Sequence, residues 1–257
     1  MERREHIQHQ LREALQDGRF RLVYQPQVRL SDDRILGLEA LCRWSTEPIG
    51  AVSPDEFIPV VESQDLLDDY RQWLLNTLQH DASALLIRHS QLDLSLNFSL
   101  NEVMRPHWLA DMLAWLSRMP AGAATRLLVE VTEHTYAGSL EPVKQRMTAL
   151  QQQGLRFAVD DFGVGASEMV RLQALPFDDI KLDKSWVQHL SKPDVQANVK
   201  SLLDYARQHH QRVVAEGIET PDQAREVQAL GIEMGQGYWF DKPQPLAHWL
   251  SVPERFV

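Results

Sequence analysis

Cysteine is nearly absent: Cys42 is the only one in 257 residues, so no intrachain disulfide can form and a reducing compartment is expected. Long apolar runs are missing as well. No stretch approaches the roughly 20 residues of a membrane span. The opening MERREHIQHQL is too polar for a secretory signal, so a cytoplasmic protein without membrane insertion is expected. Positive charge is scarce, with 26 Lys and Arg against 36 Asp and Glu. The resulting net charge of −10 argues against a broad surface for a nucleic-acid polymer. It does not exclude a small anionic ligand, because bound cations reverse the sign of a site. No Gly-rich phosphate loop follows the first predicted strand, and there is no His-x-x-x-His or Cys pair. Those absences disfavour a doubly wound nucleotide fold and a zinc centre.

What is present is an alternation. Short apolar runs cover 20–28, 35–44, 92–99, 126–133, 155–162, 178–183, 212–219 and 234–240, many of them ending in polar residues. Amphipathic stretches separate them, among them 137–152, 195–209 and 221–230. Thr220-Pro221 reads as an N-cap followed by Pro at the first helical position, and Gly154 and Gly231 stand where C-caps belong. About eight strands repeating roughly every 30 residues predict a (β/α)8 barrel of the TIM type. Residues 1–19 read as an N-terminal helix or connector and 20–257 as the barrel, with no linker inside it.

The informative residues sit toward the strand ends. Alternation along a strand places Glu39, Leu41 and Arg43 on one face and groups Asn97 with Ser95 and Ser99. Glu130 lies opposite Leu127, Val129 and Val131. Asp160 and Asp161 end the fifth run, Lys181 and Asp183 share a face on the sixth, Glu216 follows on the seventh, and Gln236 lies in the eighth. One buried carboxylate is ordinarily a structural group satisfied by a neighbour. Acids from nearly every successive strand, gathered at one barrel rim, repel one another unless cations neutralise them. Carboxylates with an Asn amide form a hard oxygen donor set suited to Mg²⁺ or Mn²⁺. The adjacent pair Asp160-Asp161 suits a carboxylate shared between two ions, the arrangement of two-metal phosphodiester hydrolysis. Lys181 is placed either to orient or deprotonate a water or to form a structural ion pair.

In these residues the chain resembles the EAL-domain family of bacterial cyclic di-GMP phosphodiesterases. Glu39-Ala40-Leu41 with Arg43 is similar to its signature. Tyr24-Gln25-Pro26, the block at 54–59, LNFS at 96–99, EVTE at 130–133, DDFG at 160–163, KLD at 181–183, AEGIE at 215–219 and QGYWFDKP at 236–243 follow in the family's order. The resemblance implies a barrel whose first strand is antiparallel to its neighbours, and hydrolysis of cyclic di-GMP to linear pGpG with two Mg²⁺ or Mn²⁺ ions. It implies that Glu39, Asn97, Glu130 and Asp160 hold one metal and that Asp160, Asp161 and Glu216 hold or support the second. Lys181 would act on the water, with Glu39, Asp161 and Glu216 completing the catalytic set. Gln25, Leu41, Arg43, Asp183, Glu219, Gln236 and Tyr238 would line the dinucleotide site, with Arg43 on a phosphate, and Glu133 would anchor a loop. It also allows a homodimer and an upstream sensory or GGDEF domain.

The chain departs from the family pattern after Asp160-Asp161, where Val164, Ala166 and Glu168 replace Thr, Tyr and Ser. This change motivates a second expectation, a cyclic di-GMP receptor with little or no turnover. It also suggests a weakly held second ion, because Glu168 adds charge close to the paired aspartates.

Overall fold

The apolar run at 20–28 and the one at 35–44 form the two longest strands of a computed structural model that describes residues 3–63, 65–132, 136, 138–163 and 168–254. Helix α1 (Arg3–Gln16) precedes them and buries Ile7, Leu11 and Ala14, spaced to share one helical face. Strand β1 (Phe20–Arg29) pairs antiparallel with β2 (Arg34–Thr46), which folds back on a short β3 (Gly50–Val52). Next come α2 (Pro54–Ser63), α3 (Leu67–Arg88), β4 (Asp93–Ser99), α4 (Leu100–Val103) and α5 (Trp108–Leu116). A 3₁₀ turn (Ala123–Arg126) then leads into β5 (Leu127–Thr132), α6 (Leu140–Gln151), β6 (Arg156–Phe162), α7 (Glu168–Ala174) and β7 (Asp179–Leu182). Helices α8 (Lys184–Gln188) and α9 (Pro193–Gln208), strand β8 (Arg212–Ala215), α10 (Pro221–Ala229), β9 (Met234–Gln236) and α11 (Leu246–Ser251) complete the chain.

Strands β1, β2, β4, β5, β6, β7, β8 and β9 pair in that order, and β9 returns to β1, closing a barrel of eight strands. Strand β3 is an extra edge outside the ring. Only β1 runs antiparallel within the ring, to both β2 and β9, as the resemblance implied; every other ring pairing is parallel.

Alternation sets what each face carries. Leu94, Leu96, Phe98, Leu127, Val129, Val131, Phe157 and Val159 are buried in one core cluster with helical residues such as Val143, Met147 and Leu150. Glu130 lies between apolar neighbours in sequence, so its side chain takes the opposite face, toward the barrel interior. At the far end, Asp93, Arg156, Asp179 and Arg212 begin β4, β6, β7 and β8 and form an ion network across the barrel floor. Arg212 forks onto Asp179, with Nε 2.9 Å from Oδ1 and Nη2 2.5 Å from Oδ2.

Thr220 makes a capping box with Gln223, and Pro221 follows it as expected. Gly231 closes α10 in left-handed backbone (φ 94°), with Ile232 N–H on the Val227 carbonyl and Gly231 N–H on that of Gln228. Some boundaries differ from the sequence reading. The runs at 212–219 and 234–240 form strands only at Arg212–Ala215 and Met234–Gln236. Beyond them Ile218 N–H donates to Gln236 O and Trp239 N–H to Ile218 O, so the backbone continues in turns at the barrel mouth. The helix expected over 137–152 begins at Leu140, where Ser139 caps it. Strand β3 is too short to show a period in the sequence.

Candidate functional site

Parallel strands deliver their C-terminal residues to one rim, and the interior polar groups collect there. The centre is Lys181 of β7, which is fully buried. Its Nζ lies 3.3 Å from Glu39 Oε2, 3.0 Å from Asp160 Oδ1 and 2.7 Å from Glu216 Oε1, and it also donates to Glu130 Oε2. Four carboxylates from four strand ends therefore face one ammonium. Burial alone would lower the lysine pKa, but the charges of Asp160, Glu130, Glu216 and Glu39 outweigh it and hold the proton on Nζ, well above the usual range.

Neutral amides fix the carboxylates. Asn97 Nδ2 donates to Glu39 Oε1 at 2.7 Å and Gln236 Nε2 to Glu39 Oε2 at 2.6 Å. Burial would raise the Glu39 pKa, yet the Lys181 charge and these two hydrogen bonds bring it below the ordinary value. Gln27 Nε2 donates to Glu130 Oε1 at 3.2 Å. Burial and the Glu39 charge push Glu130 well above the ordinary range, and burial raises Glu216 to about 8.

Asp160 and Asp161 are neighbours on a strand and should face opposite ways. A break in the β6–β7 register between Val159 and Phe162 interrupts that alternation, and Asp161 adopts left-handed backbone at φ 52°. Such a bulge re-aims side chains, and left-handed backbone is uncommon outside glycine. The result is that Asp160, Asp161 and Glu216 each place a carboxylate oxygen within 4.8 Å of the others. Asp160 Oδ1 lies 3.0 Å from the ammonium and accepts no hydrogen bond among the described residues, so it has capacity for a further ligand.

These residues fit divalent cations. Glu39, Glu130, Asp160, Asp161 and Glu216 offer only oxygen donors, a hard set suited to divalent ions, and cations bound there would displace the protons that burial favours on Glu130 and Glu216.

A cavity of about 810 Å³ opens over this ring. Of the sequence-predicted residues, Gln25, Glu39, Leu41, Asp160, Asp161, Lys181, Asp183, Glu216, Glu219, Gln236 and Tyr238 line it. Asn97 and Glu130 lie outside the lining and reach the ring through Glu39 and Lys181. Arg43 is absent from the wall as well, and its Nη1 donates to the Cys42 carbonyl at 2.8 Å. Glu133, Val164 and Ala166 lie outside the described residues. Glu168 is buried and accepts from Gly163 N–H at 2.8 Å, so its charge is not left without a donor.

The sequence reading missed three residues. Gln27 repeats the position of Gln25 two residues on, a signal that alternation would have carried. Asp55 and Lys184 line the cavity from the first turns of α2 and α8, where no period marks them.

The EAL domain family matches residues 8–243. The chain is 32% identical over 244 residues to the cyclic di-GMP phosphodiesterase NbdA of Pseudomonas aeruginosa, covering 94% of this chain and 31% of that protein. It is 31% identical over 248 residues to the probable cyclic di-GMP phosphodiesterase PdeN of Escherichia coli, covering 93% of this chain and 47% of that one. The chain thus spans less than half the length of either relative. Among solved structures, the PaMucR phosphodiesterase in complex with c-di-GMP superposes with a TM-score of 0.83 at 27% identity, covering 95% of this chain and 99% of that one. The EAL enzyme Bd1971, in its cAMP- and cyclic-di-GMP-bound form, does so with a TM-score of 0.88 at 27% identity, covering 96% of this chain and 68% of that one.

Proposed function

Since the chain belongs to the EAL domain family, we propose that it hydrolyses cyclic di-GMP to linear pGpG with two divalent cations, Mg²⁺ or Mn²⁺. One observation carries the reading: four carboxylates from β2, β5, β6 and the end of β8 surround Lys181, and Asp161 joins Asp160 and Glu216 in an oxygen cluster beneath an 810 Å³ cavity. Glu39, Asn97, Glu130 and Asp160 would hold one ion, and Asp160, Asp161 and Glu216 the other. Bound there, the ions would activate a water and offset charge on the reacting phosphate.

The protein's own groups do the rest. Asn97 and Gln236 keep both Glu39 oxygens directed inward, and Gln27 does the same for Glu130. Lys181 holds its proton while four carboxylates face it. Once those carboxylates are engaged elsewhere, the ammonium is free to give up its proton, and the neutral Nζ would then orient the attacking water and accept a proton from it. The water oxygen is added to phosphorus, one P–O ester bond breaks, and the leaving sugar oxygen takes up a proton. Tyr238, exposed at the mouth, offers an aromatic face to a base.

The alternative is a receptor that binds the dinucleotide without turnover. The close pairing of Lys181 with the metal-binding carboxylates favours it, because that ammonium competes with cations for the same oxygens. The purified protein, given cyclic di-GMP with Mg²⁺ or Mn²⁺ and with EDTA, decides between the two. Metal-dependent appearance of pGpG by anion-exchange chromatography is expected. Binding with no product in any metal would establish the receptor and overturn hydrolysis.

A further inference from the structure

Asp160 and Asp161 reach one cluster through a break in the β6–β7 pairing, and a break of that kind has to be held open. An unconstrained strand alternates, which would turn Asp161 away from Asp160 and Glu216. Left-handed backbone at an aspartate persists where the surroundings over-determine it. The chain just after the break supplies that constraint. Phe162 rejoins the ladder opposite Leu182, and its carbonyl accepts from Asp183 N–H at 3.0 Å. Gly163 follows at φ 120°, packed so closely on α8 that a Cβ added there would collide with the Trp186 indole.

The Gly163 N–H donates to Glu168 Oε2 at 2.8 Å. Glu168 is the first residue of α7, at a position where the family pattern has Ser. An acid that served only the helix dipole would do so from the surface. This side chain is buried instead, at 7% exposure, and burying a carboxylate is costly unless a donor meets it. A serine hydroxyl, on a far shorter stem, would not span the same gap. Among the described residues Glu168 is not one of the carboxylates that gather at Asp160, Asp161 and Glu216, so it acts on them through the backbone.

We propose that Glu168 is a positioning residue for the second ion: by holding Gly163 N–H it keeps the bulge at Asp160-Asp161 open and Asp161 turned toward Glu216. This inference rests on the two-cation reading above. The sequence alone suggested the opposite, a second ion weakened by the added charge.

Mn²⁺ binding to the full chain tests it, counted from the EPR signal of free Mn²⁺ with no nucleotide present. The parent should bind two ions. Glu168→Ser should hold the first ion as the parent does and the second roughly tenfold less tightly, the scale of losing one outer hydrogen-bond partner of a metal site. Glu168→Asp keeps the charge on a shorter stem and should show the same selective loss. Glu168→Gln keeps an acceptor for Gly163 N–H without the charge and should bind both ions like the parent. If thermal unfolding in EDTA shows the serine variant unfolded, the aspartate variant carries the test. Equal loss at both sites, parental binding by the Ser and Asp variants, or a Gln variant as weak as Ser overturns the proposal. A second ion held more tightly by the Ser and Gln variants also overturns it and restores the reading of Glu168 as a repelling charge. A parent that binds fewer than two ions overturns the two-cation reading, and this inference with it.

Discussion

Glu102 offers a test in which the chemistry of one buried carboxyl can be followed as stability. It is residue N3 of α4, and its Oε2 accepts from Ser99 N–H at 3.2 Å while Ser99 Oγ accepts from Glu102 N–H. This capping box lies two residues beyond Asn97, at the end of β4. The side chain is buried and its Oε1 has no hydrogen-bond partner among the described residues. Burial raises the pKa from the ordinary 4.5 to about 7, although the Ser99 N–H and the Arg71 charge pull the other way. An acid whose pKa is higher in the folded protein binds its proton more tightly there. Its stabilising contribution is complete below 4.5 and is lost as pH rises through about 7. At about 1.36 kcal/mol per pH unit, the loss is at most about 3.4 kcal/mol. Glu102→Gln keeps an acceptor for Ser99 N–H and removes the titration. Urea unfolding of both proteins at pH 5 and pH 8 should show the variant gaining on the parent by about 2–3 kcal/mol between the two pH values. Taking the difference between proteins cancels the other groups that titrate. A stability difference that is the same at both pH values would refute the reasoning and leave Glu102 an ordinary cap.

Glu39→Ala and Asp160→Asn should each abolish pGpG formation, since each removes a charged donor from a ring with no spare one; near-parental turnover in Mg²⁺ would overturn the metal assignment. Lys181→Ala should lower turnover at least about 10²-fold while cyclic di-GMP affinity changes much less, measured by single-turnover kinetics and calorimetry. Weakened binding with intact turnover would make Lys181 a recognition residue. Asp179→Ala, on the barrel floor, should cost about 2 kcal/mol in urea unfolding, because it leaves the Arg212 guanidinium without its forked partner, and should leave KM unchanged. A raised KM would connect the floor to the cavity.

The one-dimensional pattern was enough for the repeating units and for the type of chemistry at the strand ends. Burial obliges a strand to alternate, so apolar residues at 127, 129 and 131 place Glu130 on the other face whatever the neighbours are. Likewise Thr220-Pro221 and Gly231 mark a helix through backbone rules that act over a few residues. The antiparallel setting of β1 came from the family resemblance, because periodicity carries no direction. Tertiary structure decided what depends on convergence. Asp160 and Asp161 share one cluster only because a register break at the β6–β7 pairing overrides alternation. Lys181 meets four acids because ring closure brings β2, β5, β6, β7 and the end of β8 to a single point. Alternation likewise grouped Arg43 with Glu39, and the structure adds that Arg43 Nη1 donates to the Cys42 carbonyl. Lys184 enters the wall from the turn after β7, where no period exists to be read, and only the packing of its stem against Gly217 assigns it a place.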